Sequence, residues 1–116
     1  MPVGRDAVVP QRGEVWWVSL DLTQGSEIRK TRPCLVLSGT ALNRLRSTVV
    51  VVPLSTAAKA HPPITGPVTC QDRGAVAVID QVRAVAKHRL RARIETASEE
   101  DMRNVLAALA RILEIR

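Results

Sequence analysis

An arginine and a serine stand at the ends of two neighbouring apolar runs in this sequence. Arg32 precedes the run PCLVLSG, and Ser55 follows the run TVVVVPL. Runs this close in the chain are expected to pair as antiparallel strands, which puts the start of the first beside the end of the second. A guanidinium can hold two oxygens of a phosphate and a hydroxyl can donate to a third. The pattern therefore predicts a phosphate-binding site at this edge of a sheet.

The same two residues also have an ordinary structural interpretation. An arginine ahead of a strand is often a solvated residue at the rim of a sheet. A Ser-Thr pair after a strand, such as Ser55 and Thr56, often satisfies the backbone N–H groups of the following turn. The pattern alone leaves both interpretations open.

Short apolar segments separated by turn residues supply the elements that must position these side chains. Strands are expected over residues 13–22, 33–37, 48–54, 64–70, 75–85 and 89–94. The segment 75–85 is expected to run as one strand after a turn at Asp72 and Gly74. Many short strands followed by one helix predict a mainly β fold, with strongly bent antiparallel strands in a small sheet or barrel.

Helical patterns occur in two places. Residues 40–46 predict one or two helical turns, and Ser98 with Asp101 three residues later predicts the start of a C-terminal helix. An apolar stripe marks the buried face of that helix: Met102, Val105, Leu106, Leu109, Ile112 and Leu113. Residues 1–10 show no periodicity and are expected to form a flexible arm, so residues 11–116 are expected to form a single domain.

The charge is strongly positive and unevenly distributed. The 116 residues carry a formal charge of +6 and no acid between Ile28 and Gln71 or between Arg83 and Arg93, which favours a polyanionic partner. The aromatic residues are Trp16 and Trp17 alone. At least one of them must face the core of a strand, so base stacking on an aromatic platform is not expected.

Several kinds of chemistry are not indicated. Cys34, Cys70, His61 and His88 lack the spacing of a metal site, and no phosphate-binding glycine loop or nucleophile elbow is present. The cysteines are expected to be buried free thiols. Because metal-site spacing and cofactor motifs are missing, we expect no metal and no cofactor. No signal peptide or membrane-spanning segment is visible, so we also expect no membrane association and a cytoplasmic location.

Four blocks in order resemble the MazF/PemK toxin family: RGEVWWVSLDLTQGSE, TRPCLVLSG, VVVVPLSTAAK and DRGAVAVIDQVRAV. The resemblance covers about residues 11–115. It implies an SH3-like barrel with a terminal helix, usually a homodimer. It also implies a ribosome-independent, metal-independent endoribonuclease that cuts single-stranded RNA at short motifs and is silenced by a cognate antitoxin. The basic surface fits an acidic, MazE-like antitoxin segment that folds on binding.

The resemblance also assigns roles to residues. It places the catalytic pair on Arg32 and Ser55, where many relatives carry threonine, so the adjacent Thr56 is an alternative hydroxyl. An acid of the site falls on Glu27. Contacts with RNA are expected from Arg29, Lys30, Thr31, Lys59 and Arg83.

Metal-free RNA cleavage proceeds by attack of a 2′-hydroxyl on the adjacent phosphate, which needs a base, an acid and a group that stabilises the crowded oxyanion. Arg32 and Ser55 suit the last task. Because arginine is a poor base, either the environment of Arg32 is unusual or Glu27 or His61 helps to remove the proton, and the sequence leaves this choice open. Two other functions are also open: a non-catalytic, CcdB-like inhibitor of gyrase on the same fold, or a basic nucleic-acid-binding module.

Overall fold

Seven strands and two helices make up the described part of the chain. The structure, a computed structural model, describes residues 8–20, 31–62 and 64–115. The strands are β1 (Glu14–Ser19), β2 (Thr31–Val36), β3 (Thr48–Ser55), β4 (Thr65–Cys70), β5 (Arg73–Val78), β6 (Arg83–Ala86) and β7 (Leu90–Thr96). The helices are α1 (Thr40–Leu45) and α2 (Glu99–Ile112), and 3-10 turns lie at Ile79–Gln81 and Lys87–Arg89.

The valine-rich strand β3 organises the sheet. Along one edge it pairs with β2, and along the other it pairs first with β6 and then, through Leu54 and Ser55, with β5. The strand order is β4-β5-β3-β2-β1-β7, all antiparallel, with β6 beside the first half of β3. β-Branched side chains suit such a pleated strand, which is covered on both faces. The predicted mainly β fold with bent antiparallel strands and a C-terminal helix is confirmed.

Each face of the sheet carries its own apolar core. Along β1, Val15 points into the first core, whereas Trp16 and Val18 point into the second, as expected for alternating side chains. Helix α2 packs Val105 into the first core. Trp16 is 7% exposed, and its indole N–H donates to Glu14 Oε1 at 2.9 Å. The expectation that one tryptophan faces the core is confirmed.

The expected continuous strand over 75–85 is wrong. The chain leaves β5 at Val78, makes a 3-10 turn with the fully buried Ile79, and enters β6 at Arg83. The interruption is needed because β5 pairs with the end of β3 whereas β6 pairs with its beginning. A straight strand cannot reach both places.

Three smaller expectations also need correction. The β4–β5 turn is formed by Gln71 and Asp72, both left-handed with φ of 54° and 61°, and Gly74 lies inside β5. Helix α2 ends at Ile112, so Leu113 falls off the buried stripe and is 54% exposed. The alternation of Leu90, Ala92 and Ile94 with arginines predicts a strand that shows its arginines to solvent. Ala92 is nevertheless exposed, because the pairing of β7 with β1 contains two register irregularities.

The start of α2 protects one edge of the sheet. Ser98 Oγ accepts from the N–H of Asp101 at 3.0 Å, which confirms the predicted cap. The Asp101 carboxylate accepts from the N–H of Thr69 at 2.8 Å, on the edge strand β4. The contact satisfies a donor that would otherwise be open to another strand.

The first testable prediction concerns the contribution of the buried Asn43 to the stability of the fold. Its amide N–H groups donate to the carbonyls of Pro10 at 2.8 Å and Ser38 at 3.1 Å, and its oxygen accepts from the Ser38 hydroxyl. Asn43→Ala leaves these groups without partners in a dry site, so the free energy of unfolding should fall by about 3 kcal/mol. Urea unfolding measures this loss. Asn104→Ala, on the exposed side of α2, is the matched control, and an equal loss in both variants would contradict the assigned role.

Candidate active site

Arg32 and Ser55 meet at one rim of the sheet, where β2 begins and β3 ends. The pairing of Cys34 with Pro53, Leu35 with Val52 and Val36 with Val51 confirms the predicted antiparallel arrangement. Two residues beyond the Cys34–Pro53 pair, the same register sets Arg32 opposite Ser55. Both residues also line the same two cavities. The pair therefore occupies the position that a phosphate site requires.

Two cavities adjoin this rim and share Arg32, Leu54 and Ser55. The first, the hairpin pocket, measures about 380 Å³ and is lined by Trp17, Thr31, Arg32, Pro33, Leu54, Ser55, Thr56, Ala57, Cys70, Gln71, Arg73 and Ala75. The second, the central pocket, measures about 220 Å³ and is lined by Leu20, Arg32, Pro53, Leu54, Ser55, Ala58, Val78 and Gln81.

The Ser55 hydroxyl is already engaged as an acceptor. Its Oγ accepts from the N–H of Ala57 at 3.1 Å and of Ala58 at 3.0 Å, which is the turn-stabilising role that the pattern allowed. Both lone pairs of the oxygen are then used, and the hydroxyl hydrogen is left to donate. The two incoming N–H groups polarise the O–H bond. The Ser55 hydroxyl is therefore available as a hydrogen-bond donor, whereas its oxygen is already used as an acceptor.

Two further arginines contact the end of β1, which pairs with the start of β2. Arg32 and Arg83 both lie close enough to Cys34 to oppose the rise in its pKa that burial causes. Arg83 Nη2 donates to the carbonyl of Leu20 at 3.3 Å, and Arg89 Nη1 donates to the carbonyl of Ser19 at 3.2 Å. These contacts hold the end of β1 next to the rim and fix the positions of two guanidinium groups.

The other predicted site residues are distributed unevenly. Thr31 and Thr56 are exposed and line the hairpin pocket, whereas Lys59 is exposed in the next loop and lines neither cavity. His61 is exposed in the same loop. Glu27, Arg29 and Lys30 lie outside the described residues.

The hairpin pocket also contains side chains that the sequence did not assign to the site, among them Trp17, Gln71 and Arg73. Trp17 alternates with the buried Trp16 and is half-buried. Gln71 is the first residue of the two-residue β4–β5 turn, and Arg73 directly follows that turn, whose left-handed backbone is unusual for residues other than glycine. The sequence alone does not show that this turn lies at the pocket, because its location depends on the pairing of β5 with β3.

Cys34 gives a pH prediction. Burial raises the pKa of its thiol from 9.0 to about 12, so the unfolded chain loses this proton at a lower pH than the folded chain. The stabilisation is complete below pH 9 and is lost as the pH rises toward 12. Between these limits the free energy of unfolding should fall by roughly 1.4 kcal/mol per pH unit because of this one group. Cys34→Ala should show a correspondingly shallower alkaline slope in urea unfolding, and identical slopes would contradict the prediction.

Metal-binding clusters and membrane-spanning helices are both absent from the described residues. These residues contain no group of three or more His, Cys, Asp or Glu side chains placed to hold a metal ion. No helix among residues 8–20, 31–62 and 64–115 has the length and apolar character to span a membrane. Cys34 and Cys70 are buried and free, as predicted.

Comparison with solved structures supports the fold. The chain resembles MazF from Deinococcus radiodurans with a TM-score of 0.79, at 24% identity over 93% of this chain and 99% of that one. It also resembles a mycobacterial endoribonuclease solved in complex with its cognate antitoxin, with a TM-score of 0.77, at 24% identity over 92% of this chain and 97% of that one.

Comparison of sequences identifies the family. Endoribonuclease PemK of Escherichia coli is 36% identical over 108 residues, which cover 89% of this chain and 81% of that protein. The model of the PemK-like, MazF-like toxins of type II toxin-antitoxin systems matches residues 11–113. The chain therefore belongs to the PemK-like, MazF-like family of toxins of type II toxin-antitoxin systems.

Proposed function

We propose that this endoribonuclease toxin cuts single-stranded RNA, including mRNA, at short sequence motifs without ribosomes or metal ions and so arrests translation and growth. The observation that carries the proposal is the meeting of Arg32 and Ser55 at one rim, beside two cavities. A planar cation and a polarised hydroxyl donor suit a phosphate group. Relatives of similar length that share the fold or the sequence are named endoribonucleases.

In the proposed reaction, the 2′-oxygen attacks the adjacent phosphorus. The O2′–P bond forms and the P–O5′ bond breaks, which yields a 2′,3′-cyclic phosphate and a 5′-hydroxyl. Arg32 holds the non-bridging oxygens and Ser55 donates to one of them, so both interactions strengthen as negative charge accumulates. Neither residue is the proposed base, since a guanidinium has no free lone pair to accept a proton and the Ser55 oxygen is already occupied. Glu27 is the proposed base, and the leaving oxygen takes up a proton from water.

The remaining proposed contacts extend along the RNA backbone. Thr31 and Arg83 lie near the rim, and Arg29, Lys30 and Lys59 are proposed to hold phosphates farther along. Affinity that rests on these charges should weaken as salt increases. Action on mRNA implies a cytoplasmic location.

The proposed regulation is capture by a protein. A cognate, acidic, MazE-like antitoxin would complement the basic surface and block the RNA path, and one structural relative was solved in complex with its antitoxin. We also propose that the toxin works as a homodimer. Size-exclusion chromatography with light scattering tests the dimer, and a monomer at working concentration would contradict it.

A long RNA incubated with the purified chain tests the proposed function. We expect cuts at a short recurring motif, 5′-hydroxyl ends at each cut, and the same rate in excess EDTA. Loss of cleavage on chelation would contradict the metal-independent mechanism. Salt-sensitive binding without cuts would instead identify a nucleic-acid-binding module, and inhibition of gyrase without RNA cleavage would identify a CcdB-like toxin.

A further inference from the structure

The hairpin pocket has an apolar interior and a polar mouth. Pro33, Leu54 and Ala75 form apolar walls together with the half-buried indole of Trp17. Trp17 lies two residues beyond Val15 on the same face of β1, so the pocket is the open end of the first core. Exposed side chains with hydrogen-bonding groups surround the opening: Thr31, Thr56, Gln71 and Arg73.

The β4–β5 turn forms one wall of the hairpin pocket, and hydrogen bonds to β7 hold it in place. The N–H of Gln71 donates to Glu95 Oε2 on β7 at 2.9 Å. The same carboxylate accepts a hydrogen bond from the Cys70 thiol, and burial together with this charge raises the pKa of that thiol. The left-handed backbone of Gln71 and Asp72 fixes the turn further. The turn is therefore positioned before any ligand arrives, and the Gln71 amide and Arg73 guanidinium make no hydrogen bond to the described residues.

The pocket shares Arg32 and Ser55 with the site where the proposed reaction occurs. A phosphate held by these residues would place the base of an adjoining nucleotide within reach of the hairpin pocket. The central pocket is equally near, but its lining has no aromatic ring. A volume of about 380 Å³ also lies in the range of sites that enclose small planar ligands.

We propose that the hairpin pocket binds one nucleobase of the RNA next to the scissile phosphate, an inference that rests on the proposed function. Trp17 stacks on the base, and the Gln71 amide, with one donor group and one acceptor, hydrogen-bonds the edge of the base. Arg73 lies at the mouth and neutralises the next phosphate. This pocket makes Trp17 and Gln71 specificity-determining residues, separate from the catalytic pair.

A paired-deletion experiment tests the pocket. An oligoribonucleotide containing one mapped cleavage site is prepared with an abasic nucleotide at each position around the cut. For the unmodified chain, one abasic position should lower kcat/KM by roughly 5- to 150-fold, the effect of losing one base–aromatic stack. Trp17→Ala should cause a loss of that size on the intact oligonucleotide. Removing the base and the indole together should cost no more than removing either alone.

Matched variants separate binding from folding. Trp17→Phe keeps an aromatic face and should retain most activity, and Gln71→Ala should lower kcat/KM and relax the preference at the same position. Gln11→Ala, an exposed glutamine distant from the rim, should change neither. Thermal unfolding of each variant checks that the loss of activity does not come from a destabilised core. The abasic substrates give a second check, because the effect of a merely structural tryptophan would not depend on one particular base.

The outcomes are distinguishable from those of the proposed function. Suppose that the unmodified chain cuts the RNA, but that the losses in kcat/KM from Trp17→Ala and from an abasic nucleotide multiply, whichever position is abasic. The tryptophan and the base then act independently, so the pocket does not bind a base, while the proposed function stands. If Trp17→Ala cuts as fast as the unmodified chain, the pocket proposal also fails. If the unmodified chain cuts no RNA, the proposed function itself fails.

Discussion

Replacing Arg32 with alanine is expected to lower kcat/KM for RNA cleavage by about a thousandfold or more, with the fold unchanged. A guanidinium at the transferring phosphate neutralises charge that is largest in the transition state, and removal of such groups has effects of this order. Arg32 lies at the rim and not in either core, so its loss should barely alter the free energy of unfolding. Gel-based cleavage of a mapped oligonucleotide measures the effect.

Two further substitutions show whether charge or geometry is responsible. Arg32→Lys keeps the charge but loses the planar pair of donors, so it should recover only part of the activity. Arg103→Ala removes an equal charge from the exposed side of α2 and should leave cleavage within about twofold, because a distant surface charge acts only through screened steering. Equal losses in Arg32→Ala and Arg103→Ala would show that net charge alone matters.

Replacing Ser55 with alanine is expected to lower kcat by roughly a hundredfold, the typical effect of removing one donor to a developing oxyanion. The variant also loses the acceptor for the N–H groups of Ala57 and Ala58. Because this turn is exposed, water replaces the acceptor, and the cost in unfolding free energy should stay at about 1 kcal/mol. Single-turnover kinetics at saturating enzyme separates the chemical step from binding.

Neighbouring hydroxyls provide the controls for Ser55. Ser55→Thr retains the hydroxyl and should remain active, because the donor to the phosphate is kept. Thr56→Ala should stay within about threefold, since Thr56 is exposed and makes no hydrogen bond to the described residues. A large loss in Thr56→Ala with an active Ser55→Ala would assign the working hydroxyl to Thr56 instead.

Strand pairing was predictable because it depends on local pattern. The apolar runs before Gly39 and Ser55 predicted two adjacent antiparallel strands, and that pairing brings Arg32 to Ser55. The break at Ile79 was not expected because apolar residues continue on both sides of the polar pair Asp80 and Gln81, and two polar residues alone do not decide between a turn and the solvent face of a strand. Its cause is the need to pair with both ends of β3, which is a tertiary constraint.

Some residues of the candidate site were likewise predictable from the sequence and others were not. Arg32, Ser55 and Thr31 were accessible from sequence because they adjoin predicted strands. Gln71 and Arg73 were not, since they come to the rim only through the β4–β5 turn and the register of β5 against β3. Propensity places a turn near Asp72, but pairing across the sheet decides which side chains it presents to a cavity.

The most direct measurement is cleavage of an oligonucleotide that carries a single 2′-deoxy substitution at the scissile nucleotide, with the products identified by mass spectrometry. If the rim of Arg32 and Ser55 stabilises a phosphate under attack by the neighbouring 2′-oxygen, the substituted bond should stay intact while the unmodified oligonucleotide yields a 2′,3′-cyclic phosphate and a 5′-hydroxyl. Cleavage of the 2′-deoxy bond at the normal rate, or products ending in a 5′-phosphate, would contradict this mechanism.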